Sequence, residues 1–117
     1  VEVQDVVAVH EDIGEIFDRE YAQAVVKDAS ERQKQLAGER GEAALQRVEL
    51  LHLRFYEGLP IREIAERWGV EPAVLHRQYA RARDEFLAAL LEVVAASQPS
   101  ATHAENQAAC KELIAML

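Results

Sequence analysis

Between Ala73 and Arg83 the chain carries Arg77, Arg81, Arg83, His76 and the carboxamide of Gln78, with no acidic residue among them. These side chains suit contact with a nucleic acid. Guanidinium groups neutralise phosphates and pair bidentately with guanine, glutamine matches adenine, and an apolar side chain such as Val74 meets a thymine methyl. On a helix, Leu75, Tyr79, Ala82 and Phe86 recur on an inward face, which turns Val74, Arg77, Gln78 and Arg81 outward. Arg77 and Gln78 then sit near the middle, where side chains reach base edges. Arg81 lies one turn later and Arg83 to the side, both better placed for phosphates. His76 is a flank residue that could touch the backbone.

Such a helix must be held by something, and the preceding residues supply it. Pro60 to Trp68 places Ile61, Ile64, Ala65 and Trp68 on one helical face. Pro60 suits the first helical position, where its missing N–H costs nothing. Gly69 interrupts the pattern and tolerates the left-handed conformation that ends a helix. Val70 follows as an apolar plug, and Pro72 opens the second helix. Small Ala65 permits a close crossing beside the turn. Two helices joined by a short Gly turn form the motif whose second helix enters the major groove. The same periodicity also fits two packed helices with no role in DNA.

The rest of the chain bounds the fold. Its 117 residues are enough for one modest core, and half are apolar, with Ala and Leu prominent, so an all-α domain is expected. No run approaches the length of a membrane span, no signal segment opens the chain, and the lone Cys110 fits a cytoplasmic location. Residues 1–15 read as an acidic lead-in. Residues 16–96 read as the helical domain: a long helix from Ile16 to about Leu36 with Asp18 as N-cap, a loop at Gly38 and Gly41, a helix from Glu42 to Glu57, and then the motif. The expected core is Leu45, Val48, Leu51, Phe55, Ile64, Ala65, Trp68, Leu75, Tyr79 and Phe86. Residues 97–117 form a hinge and a last helix. Thr102 and Glu105 fit a reciprocal capping box there. Ala109, Leu113, Ile114 and Leu117 should dock that helix on the domain or pair it with another chain as an oligomer. It is also placed to cover the reading helix.

Net charge is −8, unusual for an autonomous DNA binder. Residues 1–57 hold 7 Lys/Arg against 13 Asp/Glu, residues 58–85 hold 5 against 5, and residues 86–117 hold 1 against 3. The acid lies mostly upstream of the motif. Affinity for DNA alone should be weak, and a tether to DNA is expected.

Three blocks in order, LLHLRFYEGLP (Leu50–Pro60), IREIAERWGV (Ile61–Val70) and VLHRQYARARDEFL (Val74–Leu87), resemble region 4 of bacterial RNA polymerase sigma factors of the extracytoplasmic-function group. The resemblance covers about a third of the chain. It implies a promoter-recognition module that reads the upstream (minus-thirty-five) element and docks on the β flap of the RNA polymerase core, which would be the tether. An anti-sigma factor is a further partner it would admit. The aromatic-rich basic helix of a promoter-opening region 2 is missing from these residues. Two positions depart from the family pattern. The position before the reading helix commonly holds Ser or Thr but here is Glu71, whose carboxylate repels a phosphate yet could accept from a cytosine amino group. The position opening the preceding helix is likewise often Ser or Thr, and here is Pro60. The candidate DNA contacts are therefore Glu71, Ala73, Val74, His76, Arg77, Gln78, Arg81 and Arg83.

Other chemistry is sparse. His10, His52, His76 and His103 are scattered without metal-ligand spacing, and Cys110 reads as a small buried apolar residue. No phosphate-cradling glycine loop or fixed carboxylate pair is visible, so neither a cofactor nor an enzymatic activity is expected. A protein-interaction module on the same fold and a purely structural helical domain stay open beside the DNA-binding reading. Acidity and Glu71 favour protein as the partner, while Val74, Arg77, Gln78 and Arg81 favour DNA.

Overall fold

The computed structural model describes the backbone of residues 2–115 and the side chains of residues 19–114. It contains five α-helices: α1 (Glu2–Arg40), α2 (Glu42–Phe55), α3 (Ile61–Trp68), α4 (Pro72–Ser97) and α5 (His103–Ala115). Among the described residues there is no strand, and no helix is long and apolar enough to cross a membrane. The expected all-α class is met.

Helix α1 is longer than its hydrophobic pattern suggests. It is already running at Glu2, so Asp18 lies within it rather than capping it. Residues 2–15, expected as a lead-in, therefore have helical backbone, although their side chains lie outside the described set. Gly38 also stays helical. The break falls at Gly41 alone, where φ of 110° lies in a region that L side chains rarely adopt. A polar helix of this length needs partners, and α4 supplies them. Gln33 is buried and donates to the Ala82 carbonyl at 3.1 Å. Arg32 holds Glu92 at 2.9 Å, and Arg40 holds Glu85 at 3.3 Å. Ala22, Val25 and Ala29 pack with Leu90 and Val94, and Gln33 further along reaches back to Ala82, so α1 and α4 run antiparallel.

Two apolar clusters result. The first joins Ala22, Val25 and Ala29 of α1 to Leu90 and Val94 of α4 and to Cys110 and Leu113 of α5. Alanines at the α1 contacts let the helices approach closely. The second joins Leu50 of α2 to Ile61, Ile64 and Ala65 of α3 and Leu75 of α4, with Leu53, Leu59, Trp68 and Tyr79 packed around it. Fully burying Leu50 or Ile64 contributes about 1.5–3 kcal/mol each.

Helix α2 faces differently from the expectation. Its buried residues are Ala44, Arg47 and Leu50. Leu45 is 40% exposed and Phe55 61% exposed, and Val48 and Leu51 are half-buried. The reason is the Arg47 side chain, which turns inward to pair with Glu85 on α4, a carboxylate also held by Arg40. That buried ion pair rotates the larger apolar residues towards a groove beside α1. Trp68, Tyr79 and Phe86 are also half-buried rather than enclosed, whereas Ile64, Ala65 and Leu75 are buried as expected.

The C-terminal segment forms the expected capping box. The Thr102 backbone N–H donates to Glu105 Oε1, and the Glu105 N–H donates to Thr102 Oγ1, both at 3.2 Å. Helix α5 folds back on the domain, burying Cys110 and Leu113, while Ile114 remains 38% exposed and Leu117 lies outside the described residues. Burial pushes the Cys110 thiol up from its ordinary value. Helix α5 sits against Leu90 and Val94, so it does not cover the first half of α4.

Candidate nucleic-acid interface

The first half of α4 is held by α3 and a turn of defined geometry. Pro60 stands just before α3 rather than inside it, with ψ of 148°, and its carbonyl accepts from Glu63 and Ile64. At the far end Gly69 adopts φ 66° and ψ 36°. The Val70 N–H bonds the Ala65 carbonyl at 3.0 Å and the Gly69 N–H bonds the Glu66 carbonyl at 3.4 Å. This is the paired bonding of a Schellman cap. Ala65, 1% exposed, sits where the helices cross. Helix α4 then begins at Pro72, with Glu71 extended before it and the Glu71 carbonyl accepting from Leu75 at 3.2 Å.

Ala73, Val74, His76, Arg77, Arg81 and Arg83 are all exposed, and so is Glu71. The Glu71 side chain makes no capping hydrogen bond, so its carboxylate stands free at the helix start. At about 100° per residue the candidate residues divide into two groups. Ala73, Val74, Arg77, Gln78 and Arg81 share one side. His76 and Arg83 lie on the opposite flank, where the Arg83 guanidinium rests 5.0 Å from the centre of the Tyr79 ring. Eight residues that look continuous in sequence are thus not one surface.

Arg77 and Arg81 differ from the arginines that brace the fold. Arg32, Arg40, Arg47 and Arg67 each hold a carboxylate. Among the described residues Arg77 and Arg81 hold none, so their charge is available to a ligand. Their stripe has one competing charge. Asp84 is exposed and falls three residues after Arg81 and seven after Arg77, on the same side. Helical spacing alone identifies it, just beyond the acid-free run.

Val70 is not the enclosed plug that its position suggests. It is 39% exposed and lines a cleft of ≈ 250 Å³ between α2 and α4. Val74, half-buried Gln78 and Trp68 line the α4 side and the turn, and Ala43, Gln46 and Arg47 line the α2 side. Gln46 carries no local sequence signal, because only packing brings α2 beside this face of α4.

A second groove lies between α1 and α2. Leu45, Val48, Leu51 and Tyr56 supply its apolar wall, with Glu31, Lys34 and Glu49 around it. Tyr56 is 64% exposed and stacks on His52 with ring centres 5.2 Å apart. Exposed apolar side chains collected in one concave strip suit a protein partner rather than solvent. Comparison with protein-family models, with characterised proteins and with solved structures finds no match for this chain.

Proposed function

We propose that this chain is a promoter-recognition module of the sigma region 4 type. In this reading α3 and α4 form a helix-turn-helix, and the first half of α4 enters the major groove of the upstream promoter element. The observation that carries the reading is the side of α4 bearing Arg77 and Arg81, exposed, without ion partners among the described residues, and fixed by a Gly69 turn. Arg77 and Gln78 read base edges, while Arg81 contacts phosphate. The α1–α2 groove is the docking site for the polymerase flap, which supplies the tether that a chain of net charge −8 needs.

The same groove favours a second reading, a regulatory module of this fold that binds polymerase or a regulator and leaves DNA alone. Asp84 supports it by placing negative charge beside Arg77 and Arg81, and Glu71 does so by placing a carboxylate at the start of the same helix. Fluorescence anisotropy with duplexes selected from a randomised pool, as salt is varied, separates the two. Arg77→Ala should cost roughly 1–3 kcal/mol and relax preference at one base pair. Arg81→Ala should weaken all sequences alike and lower the salt slope by about one. If polymerase-dependent transcription is indifferent to Arg77, Gln78 and Arg81 replaced together, the DNA-reading assignment gives way to the regulatory one.

A further inference from the structure

The cleft between α2 and α4 has a lining unlike the basic stripe beside it. Its exposed or half-buried members are Ala43, two valines, Val70 and Val74, two carboxamides, Gln46 and Gln78, and the indole of Trp68. Its one charged member, Arg47, is only 8% exposed at the side chain and is neutralised by Glu85. No free charge therefore lines the cleft to bind phosphate, so its selectivity must come from shape, methyl contact and amide hydrogen bonds. Those are the means by which a protein meets an A·T pair in the major groove: a carboxamide pairs with adenine N6 and N7, and an apolar surface packs on the thymine methyl. The cleft is continuous with the proposed interface, because Val74 and Gln78 belong to both.

We infer that this cleft is a second reading element, in which Val70 and Val74 receive a thymine methyl and Gln46 and Gln78 address the adenine of an A·T pair. The inference rests on the DNA-reading assignment and adds to it a specificity residue from outside the helix-turn-helix. Gln46 is exposed on the first half of α2, and the Arg47–Glu85 pair fixes that helix against α4. Helix α2 is thus one wall of the recognition site as well as a support for it. Arg47 is a positioning residue, since it touches the carboxylate of α4 and sets the separation of the two walls.

The test is selection of randomised duplexes by the full chain at low ionic strength, followed by anisotropy on the selected duplex. An A·T pair should be enriched at one position, with about five- to hundredfold discrimination against G·C there. Gln46→Ala and Gln78→Ala should lose that discrimination while keeping the preference that depends on Arg77. Replacing thymine by deoxyuracil at that position, which removes only the methyl, should weaken the wild type several-fold and weaken Val74→Ala less. Gln46 and Val74 are surface residues, and an unchanged circular dichroism melt verifies that each variant is folded. If Gln46→Ala, Gln78→Ala and Val74→Ala all keep the wild-type base preference while Arg77→Ala changes it, the cleft assignment is overturned and DNA reading by α4 stands. If no sequence is enriched and Arg81→Ala leaves the salt slope unchanged, both assignments fall together.

Discussion

Replacing Leu50 by Ala measures which face of α2 supports the domain. Leu50 is 0% exposed and joins α2 to Ile61, Ile64, Ala65 and Leu75. Leu→Ala removes three carbons, and at about 0.8 kcal/mol per buried carbon the lost transfer term is about 2.4 kcal/mol. The cavity left among close-packed neighbours adds to this, giving a total of about 3–4 kcal/mol within the usual range. Leu45 is the contrasting site. It is 40% exposed, so roughly 60% of the same transfer term applies, about 1.4 kcal/mol, and its open groove leaves no enclosed cavity. Urea unfolding followed by circular dichroism at constant m-value gives both numbers. Leu50→Ala should shift the midpoint at least twice as far as Leu45→Ala. Equal shifts, or a larger loss at Leu45, would refute the facing of α2 and with it the inward turn of Arg47.

Two further outcomes follow from buried polar and titratable groups. Arg47→Met leaves Glu85 with only the exposed Arg40, and should destabilise by about 2–3 kcal/mol; adding Glu85→Leu should restore most of the loss, measured as a double-mutant cycle in urea. Burial raises the Cys110 thiol in the folded chain, so the folded state keeps its proton at a pH where the unfolded thiol has lost it. Stability from this group is therefore complete below about pH 8.5 and declines as pH rises further. Urea midpoints from neutral pH to about pH 10 should fall more steeply for the wild type than for Cys110→Ala, and parallel slopes would refute this.

The parts of the fold that were legible in the sequence are those fixed by local chemistry. Gly69 announces a left-handed cap, and the spacing of Ile64, Ala65 and Leu75 announces the packing across it. Thr102 and Glu105 name their own hydrogen bonds. Helix α2 was illegible for a physical reason. It has apolar residues on two sides, and sequence alone gives greater weight to the larger set, Leu45, Val48, Leu51 and Phe55. The deciding interaction is a long-range ion pair between Arg47 and Glu85, and a buried arginine is rare enough that no pattern rule anticipates it. The first half of α1 was missed for a different reason: its helical backbone continues through a stretch with no clear amphipathic face. At the interface, the outward direction of Arg77 and Arg81 follows from period alone. Gln46 does not, because its place there is a product of tertiary packing.

The two clusters differ in the sequence separation of their members, and that sets an order of assembly. Leu50, Ile61, Ile64, Ala65, Leu75 and Tyr79 lie within one short stretch, so their cluster closes only small loops. Ala22 and Val25 must instead wait for Cys110 and Leu113, which lie far along the chain from them. During synthesis the α2–α3–α4 unit can therefore condense while the partners of α1 are still incomplete, and α5 closes the bundle last of the five helices. The exposed face bearing Arg77 and Arg81 would then exist on the nascent chain before the domain is sealed, with the apolar side of α4 around Leu90 and Val94 open in the interval.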